Sequence, residues 1–250
     1  MEQPQSNIQR AVESIRKTSD AQYQRLVQFV REVNDKGGAY HQIDFGQGLI
    51  LQGDYDMSKY IQHYNLPENL EGTSVLDVGT SSGYFALESA CRGARVTAID
   101  IWDWTPIQLI SSLLNVSVTY VKKSLYDIEK NFGQFDQVIC GSVLPHLPDP
   151  FGAIQRIRTV CNGRAVVSTP HPHFEHGADH PVCEFIGEKA SDGDYYNYWA
   201  IGAKALENMF LAAGFTSVER TDNFTLVTEF GRTEFSEPHV VMTGIVSPAG

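Results

Sequence analysis

The sequence is poor in cysteine and has no long apolar run, and each shortage excludes a class of protein. Its four cysteines are scattered over 250 residues without a C-x-x-C pair, so no disulfide framework is indicated and we expect reduced thiols. No apolar run approaches the roughly 20 residues of a membrane span. The first residues have neither the basic nor the apolar region of a signal peptide. These absences predict a cytoplasmic protein with no membrane segment.

Basic residues are also scarce. The chain has 19 Lys and Arg against 30 Asp and Glu, a net charge of −11. Proteins that bind nucleic acids usually present a basic patch, because phosphate contacts supply much of the affinity. The adjacent basic pairs are Arg16-Lys17 and Lys122-Lys123, and they are far apart in the chain. The charge balance favours a small-molecule substrate over a nucleic acid.

A glycine turn between two apolar segments is the most informative stretch. A predicted strand leads to Gly79-x-x-x-Gly83, a helix follows, and a second strand ends at Asp100. This spacing is typical of a strand–turn–helix–strand unit that binds the nucleoside half of a cofactor. We expect Asp100 to accept hydrogen bonds from ribose hydroxyls. A turn that merely joins strand to helix is the alternative.

Two residues in this turn distinguish between cofactors. Dinucleotide sites use G-x-G-x-x-G, so that the backbone approaches a pyrophosphate, whereas Ser81 stands here where a further glycine is expected. The carboxylate of Asp77, two residues before Gly79, repels a pyrophosphate but suits a ligand that carries an ammonium and a sulfonium. D-V-G-T-S-S-G-Y-F resembles motif I of class I S-adenosylmethionine (SAM) methyltransferases, [DE]-x-G-x-G-x-G, from which Ser81 departs.

That resemblance implies SAM as cofactor, S-adenosylhomocysteine (SAH) as product, and a set of cofactor contacts along the chain. Trp102 is expected on the adenine face, and Asp127 could instead cap the following helix. The expected cofactor residues are Asp77, Gly79, Thr80, Ser81, Gly83, Asp100, Ile101, Trp102, Tyr126, Asp127, Gly141 and Lys59.

Strand and helix patterns alternate from residue 72 onward, which predicts an α/β protein with a doubly wound, Rossmann-like, seven-stranded mixed sheet. We expect residues 72–250 to form the SAM-binding domain, with residues 170–199 as a lid insertion at the carboxyl ends of the strands. Residues 1–71 are expected to form an N-terminal extension of amphipathic helices and a hairpin around residues 46–48. Its apolar helix faces pack either on the domain or on another subunit, as in a homodimer.

A second motif, F-D-x-V followed by V-L-x-H-L-x-D-P, covers residues 135–150. With H-Q-I-D-F-G at 41–46 and the cofactor block, it is similar to the methyltransferase branch that contains the tRNA wobble-uridine carboxymethyltransferases and uncharacterised small-molecule relatives. Carboxymethyl-transferring members have a tyrosine just before the histidine of this run, whereas this chain has Pro145. The likeness therefore implies ordinary SAM and transfer of a methyl group.

Histidines supply the candidate catalytic residues: His146 as a general base near neutral pKa, and His171 and His173 in the lid. The alternative for His146 is a hydrogen bond to the backbone that orders its turn. The histidines from His171 to His180 could bind a divalent metal that polarises a chelated acceptor, but their spacing is not a fixed zinc signature and the prediction is no metal. The expected substrate contacts are His41, Tyr196 and Trp199.

Three functions remain open from the sequence. The first is a SAM-dependent methyltransferase that acts on a small, partly aromatic acceptor, chiefly by aligning nucleophile, methyl group and sulfur. The second is an RNA base methyltransferase, against which the acidic balance argues. The third is a SAM-binding partner protein that has lost catalysis, which the full set of cofactor residues disfavours.

Overall fold

The computed structural model describes residues 5–103, 106–171, 180–189, 196–229 and 236–247. The helices are α1 (Asn7–Thr18), α2 (Asp20–Asp35), α3 (Tyr84–Cys91), α4 (Pro106–Leu114), α5 (Pro150–Val160) and α6 (Ala203–Ala213). The strands are β1 (Ala39–Asp44), β2 (Ile50–Leu51), β3 (Gly53–Asp56), β4 (Ser74–Val78), β5 (Arg95–Asp100), β6 (Val118–Lys122), β7 (Phe135–Gly141), β8 (Cys161–Pro170), β9 (Cys183–Lys189), β10 (Tyr196–Ile201), β11 (Ser217–Val227) and β12 (Ser236–Ile245).

The main sheet has seven strands in the order β11-β12-β8-β7-β4-β5-β6. Parallel pairing joins β4 to β5, β5 to β6 and β7 to β8, while β12 runs antiparallel to β8. Helices follow most of the parallel strands, as crossover connections require. The predicted α/β class and seven-stranded mixed sheet are confirmed.

The chain divides into two compact units. Unit 1 contains residues 1–122 and 227–235, and unit 2 contains residues 123–226 and 236–250. The predicted domain boundary between residues 71 and 72 stays a prediction. Both of these residues lie in unit 1.

Capping and an apolar stripe explain the N-terminal helices of unit 1. Ser6 and Gln9 form a reciprocal capping box at the start of α1, and at the start of α2 the Ser19 hydroxyl accepts a hydrogen bond from the Gln22 N–H. The apolar stripe of both helices is buried within the described part of the chain, at Ile8, Val12, Ile15, Leu26 and Val30. The predicted homodimer through these helices stays a prediction.

The predicted hairpin is present, since β1 and β2 pair antiparallel around Gly46 and Gly48. In addition β3 pairs parallel with β1, which the sequence pattern did not indicate. The three strands form a small sheet in unit 1, ordered β2-β1-β3.

Unit 2 carries β7 and β8 with α5, whose first turn begins at Pro150 and is capped by the Asp149 carboxylate. The predicted lid insertion contains an antiparallel hairpin of β9 and β10. The aromatic and β-branched residues of both strands favour this structure. Residues 172–179 and 190–195 of the insertion lie outside the described residues.

All four cysteines are free thiols, as expected. Among the described residues, no helix has both the length and the apolar character needed to cross a membrane.

Candidate cofactor and acceptor sites

The turn after β4 is built from three residues in the left-handed region: Gly79 (φ 68°), Ser81 (φ 46°) and Gly83 (φ 87°). The N–H groups of Gly79 and Thr80 both donate to the Ile99 carbonyl of β5, at 2.9 and 3.0 Å. Ser81, which breaks the expected glycine pattern, adopts a glycine-like conformation nonetheless. Non-glycine residues seldom do so, and such strain is concentrated at functional sites.

Asp100, the last residue of β5, holds this turn. Its Oδ2 accepts from the Ser81 N–H at 2.8 Å and its Oδ1 accepts from the Trp102 N–H at 3.0 Å. An ionised carboxylate has about four lone-pair positions, so each oxygen retains one after these bonds. The carboxylate is therefore fixed in orientation and can accept two further hydrogen bonds, as a ribose requires.

Asp77 is 2 % exposed at the base of the turn. Its Oδ2 accepts from the Thr80 hydroxyl at 2.6 Å. Burial, and to a lesser degree the charge of Asp100, raises the pKa of Asp77 to about 7 despite the hydrogen bonds from Thr80 and the Ala86 N–H. A buried carboxyl with this pKa gains from a cationic ligand, which would stabilise its ionised form.

The β1 strand is attached to the turn through Ser82, which is 1 % exposed. The Ser82 hydroxyl accepts from the N–H groups of Tyr40 and His41, at 2.9 and 3.2 Å. The His41 ring lies edge-on to Tyr40 and Phe85, and burial lowers its pKa to about 3. The predicted substrate contact His41 is thus a neutral imidazole directly beside the glycine turn.

The remaining predicted cofactor residues of unit 1 are on the surface. Ile101 and Trp102 are 57 % and 55 % exposed, and the Trp102 carbonyl accepts from the Tyr120 hydroxyl. Lys59 pairs with Glu229, with Nζ 2.6 Å from Oε1, and this hydrogen bond raises the pKa of the lysine. The Lys59 ammonium is therefore bound to a protein carboxylate.

In unit 2 Tyr126 and Asp127 lie in a short 3-10 helix, Leu125–Asp127. The Tyr126 hydroxyl donates to the Asp149 carbonyl and accepts from the Asp149 N–H, both at 2.9 Å, which fixes the start of α5. The suggestion that Asp127 caps the following helix is wrong, because α5 is capped by Asp149.

His146 is half-buried after β7. Its Nδ1 is 3.2 Å from the Tyr196 carbonyl of β10, and its N–H donates to the Val143 carbonyl at 3.1 Å. The Trp199 indole N–H donates to the Pro148 carbonyl at 3.1 Å. Three predicted residues, His146, Tyr196 and Trp199, thus meet where the hairpin packs on this loop. The His146 geometry agrees with the alternative in which this histidine orders its turn.

His171 directly follows β8, and its N–H donates to the Pro238 carbonyl at 2.8 Å. His173 lies outside the described residues, as does His176. In the part of the chain that the structure describes, no group of three or more His, Cys, Asp or Glu residues could hold a metal ion.

Three polar residues of these sites were missed from the sequence. Ser82 stands inside the cofactor motif. This position was the available signal, because a polar side chain that is buried there requires a hydrogen-bond partner. Gly141 ends β7, and the next residue, Ser142, is left-handed (φ 56°). Its hydroxyl lies 3.0 Å from Nε2 of His239, a buried histidine of β12. Only the apolar residues after His239 indicated its burial.

The sheet order, the glycine turn and the acids Asp77 and Asp100 define an α/β protein of the nucleoside-binding class. Similarity to known proteins identifies its family. The family model described as "Methyltransferase domain" matches residues 49–220, so the chain belongs to the methyltransferase domain family. This confirms the predicted class.

A curated relative, a "Ubiquinone biosynthesis O-methyltransferase" of Pseudomonas syringae pv. tomato, is 40% identical over 91 residues, which are 35% of this chain and 39% of the relative. The same-named protein of Escherichia fergusonii is 36% identical over 90 residues, 34% of this chain and 37% of its own length. The match thus spans about two fifths of the curated relatives.

Solved structures share the fold at low sequence identity. The N-terminal domain of EvdMO1 with SAH bound has a TM-score of 0.64 at 15% identity, over 88% of this chain and 96% of that one. Magnesium protoporphyrin IX methyltransferase (ChlM) from Synechocystis PCC 6803, also with bound SAH, has a TM-score of 0.53 at 19% identity, over 76% of this chain and 82% of that one. The branch of the tRNA wobble-uridine enzymes is not among these relatives.

Proposed function

We propose that the chain is a SAM-dependent methyltransferase that methylates a hydroxyl group of a small, partly aromatic molecule. The observation that carries the proposal is the left-handed turn between Asp77 and Asp100. Asp100 offers two fixed acceptors to a ribose, and Asp77 is a buried acid that a cation would ionise. Family membership supports the reaction class, and the name of the curated relatives supports an oxygen acceptor.

When bound, SAM supplies a methyl group on a sulfonium, which is already a good leaving group. The protein's part is then to hold cofactor and acceptor in line and to exclude water. The turn of Gly79, Thr80, Ser81 and Gly83 would let the backbone approach the cofactor, and its two acids would attract the positive charge of SAM.

Acceptor contacts are proposed separately for each unit. In unit 1 the candidate is His41, and in unit 2 the candidates are His146, His171, Tyr196 and Trp199. His41, with a pKa of about 3, is neutral at pH 7 and is proposed as a hydrogen-bonding group. His146 and His171 remain the candidates for a base, together with His173.

The cofactor claim is tested by isothermal titration calorimetry with SAH, SAM and NAD⁺. We expect SAH and SAM to bind and NAD⁺ to give no heat. Asp100→Asn replaces one carboxylate oxygen by an NH₂ group, and losing a hydrogen bond to a charged group costs about 1.5–3 kcal/mol, so the SAH Kd should rise at least tenfold. The control is Asp103→Asn, which removes the same charge from an exposed residue three positions away. It should leave the Kd unchanged.

Turnover separates the three open functions. SAM with a labelled methyl group is incubated with a panel of catechol, phenol and aniline, and separately with bulk tRNA. Methylated catechol or phenol supports the proposal. Label in tRNA, with binding that weakens as salt rises, would favour the RNA branch, and SAH binding with no labelled product in either arm would favour a partner protein.

A further inference from the structure

A serine and a histidine that belong to none of the predicted sites form a pair in unit 2. Ser142 follows the last residue of β7, and its left-handed backbone is fixed by an N–H that donates to the Ser168 carbonyl at 2.9 Å. Its Oγ is 3.0 Å from Nε2 of His239 in β12. Ser142 is half-exposed, whereas His239 is 2 % exposed.

The contacts of His239 determine where its proton is. Nδ1 is 3.0 Å from the Glu237 carbonyl, which can only accept a hydrogen bond, so Nδ1 carries the N–H. Burial lowers the pKa of His239 to about 4, and the ring is therefore neutral at pH 7 with a single proton. Phe224 stacks on it at 5.1 Å and 12° between planes, which holds its orientation.

It follows that Nε2 has no proton and that the Ser142 hydroxyl donates to it. A hydroxyl has one proton and two lone pairs. With that proton committed to His239, Ser142 can only accept a hydrogen bond from a ligand. The hydroxyl lies at the carboxyl end of a parallel strand, the edge at which open α/β sheets bind ligands.

We infer that Ser142 accepts the hydrogen bond of the hydroxyl group that becomes methylated, and that His239 is the positioning residue that keeps Ser142 an acceptor. This inference rests on the proposed methylation of a small-molecule hydroxyl. Ser142 would contact the acceptor directly, and His239 would act through it.

The same pair provides a path for the proton. As the acceptor oxygen forms its bond to the methyl carbon, the carbon–sulfur bond breaks and its electron pair remains on sulfur. The acceptor proton passes to Ser142 Oγ while the Ser142 proton passes to His239 Nε2. The buried imidazolium then returns its proton to Ser142, and the half-exposed Ser142 hydroxyl releases a proton to water. A weak base suffices, because a hydroxyl oxygen that has gained a methyl group is strongly acidic.

Nitrogen NMR of the full chain with ¹⁵N-labelled histidine tests the proton assignment without any acceptor. At pH 7 the His239 resonances, assigned by their loss in His239→Gln, should be those of a neutral ring protonated at Nδ1. Protonation at Nε2 instead would make Ser142 free to donate and would overturn the inference.

Kinetics with the methylated member of the panel test the role. Ser142→Ala should lower kcat/KM for the acceptor at least tenfold, with the SAH Kd unchanged within twofold. His239→Phe keeps the stacking on Phe224 but removes Nε2 and should lower kcat/KM similarly, while His239→Gln, which restores a side-chain acceptor, should recover part of it. Thr243→Val removes another buried hydroxyl of β12, paired with Thr221 at 3.2 Å, and should leave both values unchanged.

The outcomes separate this inference from the function on which it rests. Equal kcat/KM for wild type and Ser142→Ala overturns the inference and leaves the proposed function intact, as does an SAH Kd that rises in parallel with the loss of rate. If the wild type methylates no hydroxyl compound, the proposed acceptor class fails, and the NMR result alone decides the state of the pair.

Discussion

At the scale of single residues, the most consequential group is the Asp77 carboxyl. Its pKa is about 7 because it is buried beside Asp100, so near neutral pH it is divided between acid and carboxylate. A cation bound next to it would lower this pKa, and binding of the cation would therefore release a proton.

We expect SAM affinity to fall as the pH drops below about 7 and to level off above it. The heat of binding at pH 7 should depend on the ionisation enthalpy of the buffer, with a sign that indicates proton release. Calorimetry in phosphate and in Tris, between pH 6 and 8, measures both. In Asp77→Asn the dependence should vanish, and if it persists there, another group is responsible.

Single residues are also where prediction from the sequence was incomplete. The spacing placed Asp77, Gly79, Gly83 and Asp100 correctly around one turn, because the strand–turn–helix–strand geometry fixes their separation. It could not reveal the left-handed backbone of Ser81, since that conformation depends on the hydrogen bond from the Ser81 N–H to Asp100, which is distant in the chain. The Ser142 and His239 pair, 97 residues apart, was inaccessible for the same reason.

At the scale of elements, prediction succeeded wherever a buried run or a periodic pattern extended over a whole strand or helix. β4 is buried along nearly its entire length, as strands inside parallel sheets are, and its apolar run identified it. β3 escaped prediction because Gly53–Asp56 has no such run, and its pairing with β1 is a long-range contact.

The junction between α3 and α4 provides a test at this scale. Gly83 begins α3 with φ 87°, and a Cβ there would lie 2.7 Å from Cγ1 of Ile107 in α4. Gly72 has a similar φ of 78° but open space around it. Gly83→Ala should therefore lower the free energy of unfolding by about 1–3 kcal/mol more than Gly72→Ala, as overpacking does.

Urea unfolding of both variants measures this difference. The cost of an alanine in the left-handed conformation is common to both variants and therefore cancels. Equal losses would mean that Ile107 moves aside at no cost. A repacking variant, Gly83→Ala with Ile107→Val, should recover part of the loss if the contact is its cause.

At the scale of the whole molecule, three buried titrating groups contribute to the pH dependence of stability. His41 and His239 have folded pKa values of about 3 and 4, below the ordinary 6.5. As pH falls below 6.5 the unfolded chain gains their protons and the folded chain does not, so each removes stability on acidification. Asp77, whose folded pKa is raised to about 7, contributes stability below its ordinary pKa that is lost as pH rises through 7.

Between pH 6.5 and 5 the combined effect of His41 and His239 on the free energy of unfolding is larger than the opposite effect of Asp77. Each proton is worth about 1.4 kcal/mol per pH unit, so these groups should make the free energy of unfolding fall by about that amount per unit on acidification. Asp77→Asn should make the fall about twice as steep, and His41→Gln should nearly abolish it. Urea unfolding at pH 5, 5.5, 6 and 6.5 tests this, with the same change at a third, half-buried histidine, His63→Gln, as control. A slope that His41→Gln leaves unchanged would mean that the His41 ring gains its proton in the folded chain, and hence that water reaches the turn beside Ser82.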